Sequence, residues 1–301
     1  MKKIYAYYVL LLLPFFATGC GPREIADDMP DSVKLELLDI NLERDPDNPE
    51  ILAARAKVLF NLQRLKEAKY DIECALKADP ENLEYLMLKA DITFANGNIE
   101  ESYRALEAAE RLAPNNQEVQ LKMGEITFYS RDYDRSLTYL TKVTERDPNS
   151  RTALFMKGFI YKEKGDTANA VQLFRRVCDK FPDYAPAFEE LGVLYATRKS
   201  PMALEYLSTA LRLEPSNTNA MYALALFYQD NNDIESAETL YHQILDLNSA
   251  SADAWHNLGW IELTHYSDYQ RAVDYFDKAL EINPNMENAI ANRQLALDAM
   301  K

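Results

Sequence analysis

Apolar positions recur along this chain with two nested periods. Inside short segments they return at helical spacing, three and four residues apart. From segment to segment the whole pattern is copied again every 33–35 residues. Counting each copy from Pro49 and its equivalents, the eighth place holds Ala56, Ala90, Gly124, Gly158, Gly192, Ala225 and Gly259. The twentieth, after one-residue length changes, holds Ala68, Ser102, Ser136, Ala170, Ala203, Ala237 and Ala272. The twenty-fourth is large and apolar: Ile72, Leu106, Leu140, Phe174, Leu207, Tyr241 and Phe276. The twenty-seventh is smaller: Ala75, Ala109, Val143, Val177, Ala210, Ile244 and Ala279. Small side chains are what two helices need where their backbones approach closely. Breakers keep the same period: Pro46, Pro80, Pro114, Pro148, Pro182, Pro215, Ser249 and Pro284. Proline cannot continue a helix, so each rung ends the second helix of a pair. Ser249 is the one exception, and Asn248 before it still favours a turn. The pattern predicts seven helix–turn–helix units over 49–286. The one-residue deletion in the fifth and insertion in the seventh are expected in the turn between their two helices, where length changes are tolerated.

A period near 34 residues is that of helical-hairpin arrays, and the residues at fixed places resemble the tetratricopeptide repeat. The last unit carries Trp255, Leu258, Gly259, Ala272, Phe276, Ala279 and Pro284, and the fourth carries Gly158, Tyr161, Ala170, Phe174 and Pro182. The resemblance implies an all-α, right-handed superhelix (an α-solenoid) of about seven repeats. Segment 31–48 then reads as an N-terminal capping helix that stops at Pro46, and 287–301, with Ile290, Leu295 and Leu297, as a C-terminal one. Repeats and caps account for the chain to its last residue, so no catalytic domain is expected.

The N-terminus is different. Lys2 and Lys3 precede an apolar run, Ile4 to Phe16, too short for a comfortable membrane span and suited to a signal-peptide core. It ends in Ala17-Thr18-Gly19-Cys20. This resembles the lipobox of bacterial lipoproteins, with Ala17 where leucine is usual. The resemblance implies removal of 1–19, lipid on Cys20 and a polar tether over 20–30. Ten extended residues reach at most about 35 Å, so the repeats would stay near the membrane surface, attached to it and not crossing it. Gly21 follows the cysteine, not the aspartate that retains enterobacterial lipoproteins in the inner membrane. The expected location is the outer membrane, on its periplasmic face.

Charge narrows the partner. The chain has a formal net charge of −15. Loss of Lys2 and Lys3 with the signal would leave −17. That argues against nucleic acid and anionic lipid heads and fits a soluble acidic array or a basic partner. Cys74 and Cys178 lie about three repeats apart and are not expected to pair. The histidines, His242, His256 and His265, have no metal-binding spacing. Asp230-Asn231-Asn232-Asp233 lacks the later glycine and glutamate of a calcium loop and reads as a turn. No enzyme activity, metal or cofactor is expected.

The resemblance implies that the first helix of each repeat lines the concave face, with its fourth, seventh, eighth and eleventh places facing the hairpin partner; by helical spacing the fifth, ninth and twelfth form another stripe. That stripe is apolar at Phe60, Met87, Phe94, Leu121, Phe128, Phe155, Phe159, Tyr222, Leu226 and Trp260, bordered by Glu84, Asp91, Glu118 and Glu125. One reading is packing against neighbouring first helices; the other is a groove for an apolar or amphipathic segment with basic flanks. The clamp by which some tetratricopeptide-repeat proteins grip a terminal carboxylate needs Lys, Arg and Asn on this stripe. The first three repeats offer only Lys57 there. The expected function is a non-catalytic, membrane-anchored scaffold or adaptor for an envelope assembly or secretion complex. The alternative is an accessory lipoprotein of glycan or nutrient uptake, with Trp260 and Tyr222 stacking on sugars.

Overall fold

The computed structural model describes residue 26 and residues 28–301. The expected signal peptide over 1–19 and the lipidation at Cys20 lie outside the described residues. Among those described there are sixteen α-helices, one π-turn and no strand. The helices are α1 Asp31–Arg44, α2 Pro49–Asn61, α3 Leu65–Ala78, α4 Leu83–Ala95, α5 Ile99–Leu112 and α6 Gln117–Tyr129, then α7 Tyr133–Arg146, α8 Arg151–Glu163, α9 Thr167–Lys180 and α10 Ala185–Ala196, then α11 Met202–Leu213, α12 Thr218–Asp230, α13 Ile234–Leu247, α14 Ala252–Ile261, α15 Tyr269–Ile282 and α16 Glu287–Ala299. The chain divides into two compact units between Ser130 and Arg131. α1–α6 belong to the first and α7–α16 to the second.

In the first unit α2 pairs with α3 and α4 with α5, while α1 packs on α2. In the second, α8/α9, α10/α11, α12/α13 and α14/α15 are hairpins, and α16 packs on α15. The residues at the repeating places explain why. Ala56, Ala68, Ile72 and Ala75 are fully buried in one hairpin; Ala170, Phe174 and Val177 hold the same places in another. In three hairpins of the second unit the place facing the large residue is glycine, and the large residue presses on it. An added Cβ would lie 2.8 Å from Phe174 at Gly158, 2.6 Å from Leu207 at Gly192 and 2.8 Å from Phe276 at Gly259. These distances are shorter than van der Waals contact, so the hairpins close only because no side chain is there.

A second ladder marks the turns inside the hairpins. Gln63, Gly97, Arg131, Gly165, Lys199, Asn232 and Ser267 all have positive φ, between 52° and 77°. They follow the first helix of each repeat, and only two of the seven are glycine. The next residue caps the second helix in most repeats: Asn98, Asp132, Asp166, Asp233 and Asp268 each accept a backbone N–H of the first turn. At the other end, Asn48, Asn82 and Asn116 cap first helices, each accepting two backbone N–H groups.

The two length changes are handled differently. In the fifth repeat the deletion falls between α10, which ends at Ala196, and α11, which starts at Met202, inside the turn as expected. In the seventh the extra residue is not looped out. It is wound into the end of the first helix as a π-turn, Glu262–Tyr266, before the left-handed Ser267. A π-turn takes up one extra residue per turn without opening the ladder of backbone bonds, so the insertion belongs to the helix and not to the turn.

Candidate partner-binding face

Three first helices of the first unit, α2, α4 and α6, present the same rows of side chains. Their second places hold Glu50, Glu84 and Glu118, all exposed and with no ion pair among the described residues. Their twelfth places hold Phe60, Phe94 and Phe128. Between these rows lie Ala53, Met87 and Leu121, then Lys57, Asp91 and Glu125. A groove of about 850 Å³ runs across the three helices, lined by Glu50, Ala53, Lys57, Glu84, Met87, Leu88, Asp91 and Glu118 among others. Met87 is only 9% exposed and belongs to its floor. Phe94 is exposed and its ring lies 4.9 Å from that of Tyr129, itself 5.4 Å from Phe128.

Electrostatics within this face are acidic. Lys122 is tied to Asp91 at 2.5 Å. Burial holds the Glu125 carboxyl above its ordinary range, with Lys122 opposing and Asp91 adding to the effect. Behind the face, Lys69 and Lys89 are each within 4 Å of both Glu73 and Glu101. Those cations are consumed by their own lattice of carboxylates across α3, α4 and α5.

The stripe in the second unit is arranged differently. The Phe155 ring packs 5.5 Å from Phe174 and edge-on to Tyr184 at 5.3 Å, inside the hairpin core. Phe159 is half-buried, with Lys162 Nζ 4.5 Å from its ring. Tyr222 sits against Tyr241 and accepts a hydrogen bond from Asn257 at 3.0 Å. Its hydroxyl is pushed up by burial, with Asn257 opposing. Leu226 is exposed and Trp260 half-buried. The ten apolar residues singled out in the sequence are therefore not all on open surface. Phe155 and Tyr222, at the fifth place, serve the packing of their own unit; in the first unit Met87 lines the acidic groove, Phe60 packs against the α2/α3 core, and Phe94 and Phe128 lie against Tyr129.

Two members of that face were missed in the sequence, Glu50 and Tyr129. Glu50 stands 34 residues before Glu84, as Glu84 stands before Glu118; the register was sufficient to find it. Tyr129 has no equivalent in the other repeats. Among the described residues no group of three or more His, Cys, Asp or Glu is placed to hold a metal ion. No described helix is long and apolar enough to cross a membrane. Cys178 is buried and its thiol is pushed up to about 12 by burial, which makes it unreactive.

Two family models match the chain. One, the cytochrome c-type biogenesis protein H TPR domain, covers residues 71–187. The other, the tetratricopeptide repeat, covers 228–287. The chain is an array of tetratricopeptide repeats. It is 31% identical over 118 residues to Superkiller protein 3 of Schizosaccharomyces pombe, a match that takes in 36% of this chain and 8% of that protein. The Cut9-Hcn1 assembly of APC/C is similar over 87% of this chain and 52% of its own, with a TM-score of 0.64 at 18% identity. YrrB, described as a TPR protein with an unusual peptide-binding site, is similar over 63% of this chain and 98% of its own, with a TM-score of 0.51 at 23% identity. The chain thus spans about half of the first of these structures and a small part of the curated relative; at these identities the structural likenesses establish the fold. Tetratricopeptide-repeat arrays are protein–protein interaction scaffolds, with binding surfaces built from neighbouring repeats.

Proposed function

We propose that the protein is a lipid-anchored, non-catalytic adaptor of the bacterial envelope. Cys20 carries the lipid, the repeats stand on the periplasmic side of the outer membrane, and the first-helix face of α2, α4 and α6 receives an apolar or amphipathic segment of a partner protein with basic flanks. The observation that carries the binding role is the open groove across α2, α4 and α6, lined by Glu50, Glu84 and Glu118 with Met87 in its floor, on helices that also expose Phe94 beside Tyr129. An apolar surface rimmed by charge, on a fold that works by binding, marks an interaction site. The peptide-binding site of YrrB and the match to a domain of a biogenesis protein accord with a role in assembly.

Two measurements test this. Replacing Cys20 by Ala should move the protein from the membrane to the soluble fraction and abolish incorporation of labelled fatty acid; unchanged membrane attachment refutes the anchor. A photo-crosslinking residue at Phe94 should capture a partner in native membranes that one at Tyr103, on a second helix, does not. Equal capture from both positions refutes the groove.

A further inference from the structure

We propose that the second unit carries a separate binding surface of opposite sign, built on α7, α8 and α9, that receives an acidic, carboxylate-rich segment of a partner protein. This surface is independent of the face on α2, α4 and α6. A register of charges points to it. In the first two repeats the seventh place of the first helix is a cation, and its carboxylate stands sixteen residues before it. Arg55 meets Asp39 at 2.8 Å and Lys89 meets Glu73 at 3.8 Å. Each also meets a carboxylate of the following helix, Asp71 at 2.7 Å and Glu101 at 3.5 Å. Lys157 holds the same place in α8, but Thr141 stands where the carboxylate would be. The places of Asp71 and Glu101 hold Leu173 and Asn169. The Lys157 ammonium donates to the hydroxyls of Thr141 at 3.0 Å and Thr144 at 3.2 Å, and it forms no ion pair among the described residues. A half-buried ammonium bonded only to neutral oxygens lacks the counter-charge that its burial requires.

A second cation stands beside it. Arg176 of α9 donates one guanidinium N–H to the Pro148 carbonyl at 2.6 Å, in the turn between α7 and α8, and it too has no carboxylate partner. Burial holds the Lys157 ammonium below its ordinary range, with Glu145 opposing and Arg176 adding to the effect. Arg176 also lines a hollow of about 310 Å³ along α9, with Arg175 and Lys180 beside it and Val171 in its wall. Arg176 and Lys180 are one helical turn apart and share a face. Asp179 is the one carboxylate lining the hollow. Neither it nor Glu145 forms an ion pair among the described residues. Residues 133–180 hold ten Lys and Arg against six Asp and Glu, a net +4 in a chain of −15. Arg175 reaches the Tyr195 hydroxyl of α10 while Arg176 reaches back to Pro148. The cations are thus spread along the surface and not gathered on one point, which suits a run of side-chain carboxylates and not a single phosphate.

The test uses the full chain in detergent and a labelled peptide of alternating Glu and Ala, with Gln in place of Glu in the control. Fluorescence anisotropy should show the glutamate peptide binding about tenfold more tightly than the control, with an affinity that falls as salt rises. Thr141→Glu installs the carboxylate that Asp39 and Glu73 provide in the first two repeats. It should fold with an unchanged or higher thermal midpoint and weaken the peptide about tenfold, which separates lost binding from lost folding. Arg176→Gln should weaken it about fivefold. Lys66→Gln, at an exposed cation of α3, should leave it unchanged. Equal affinity for the control peptide, full affinity in either Thr141→Glu or Arg176→Gln, or equal weakening by Lys66→Gln overturns the inference. Displacement of the peptide by equimolar pyrophosphate assigns the surface to phosphate. Dimerisation of the chain alone, abolished by Lys157→Met, assigns it to a second copy. Either of these results also overturns the inference.

Discussion

A methyl group on Gly158 would meet Cε1 of Phe174 at 2.8 Å. The ring is fully buried and cannot retreat without displacing its own hairpin. Gly158→Ala should therefore destabilise the protein by about 1–3 kcal/mol, the range for overpacking a filled core, although alanine favours a helix. Phe174→Leu in the same chain should recover part of the loss by withdrawing the ring. Chemical denaturation of the single and double variants checks this; additive losses would show that the two residues do not share the contact.

The left-handed turn positions predict stabilising changes. Lys199 holds φ at 52° and Asn232 at 62°, a region that costs most side chains about 1–2 kcal/mol and asparagine less. Lys199→Gly should raise stability by up to about 1 kcal/mol, and Asn232→Gly by less. Gly97, at φ 77°, is the reverse case: nothing lies within 4 Å of an added Cβ. Any loss in Gly97→Ala is therefore conformational and not steric, about 1 kcal/mol. Thermal midpoints of the three variants test the ordering.

These two cases show what the sequence made legible. The eighth and twenty-fourth places state the packing of each hairpin directly, because a glycine facing a phenylalanine has a steric cause that survives from copy to copy. The all-α repeat architecture follows from that register. The left-handed turn was hidden, since five of its seven residues are not glycine. The insertion in the seventh repeat was read as a turn change because sequence length alone cannot distinguish a longer turn from a π-wound helix end. The candidate face was half legible. Helical spacing found the stripe, but whether Phe155 or Phe94 stays open depends on what the neighbouring repeat offers, Tyr184 in one case and Tyr129 in the other.

Arg55 reaches Asp71 with two hydrogen bonds, 2.7 and 2.9 Å, and Asp39 with a third. Asp71 is 1% exposed. These carboxylates hold the guanidinium firmly protonated, against the cost of its burial. Arg55→Leu strands a buried carboxylate and should cost about 2–3 kcal/mol, somewhat below a fully buried pair because Arg55 keeps partial solvent contact. Adding Asp71→Leu should restore much of it. If the double variant is no more stable than the single one, the stranded charge is not the source of the loss.

The last repeat holds a buried and a half-buried titratable group with opposite pH signs. Burial raises Glu262 above its ordinary value of 4.5; Asp268 and Glu238 add to this, and Arg271, 2.9 Å away, opposes it. Below 4.5 the folded and unfolded states are both protonated, so its contribution is fully present. As pH rises through the elevated folded value the unfolded chain releases the proton more readily, and stability falls. Burial lowers His256 below 6.5, with Asp253 opposing. Its ring nitrogen bonds Asn292 of α16 at 3.0 Å. Here stability is present above 6.5 and is lost as pH falls through the depressed folded value. Glu262→Gln should therefore flatten the decline of stability from about pH 4.5 upward, while His256→Gln should flatten the acid-side loss below 6.5. The maximum change per released proton is about 1.4 kcal/mol per pH unit. Denaturation midpoints between pH 4.5 and 8 measure both arms. A Glu262→Gln protein whose profile follows the parent's throughout would show that its buried carboxyl does not set the alkaline arm.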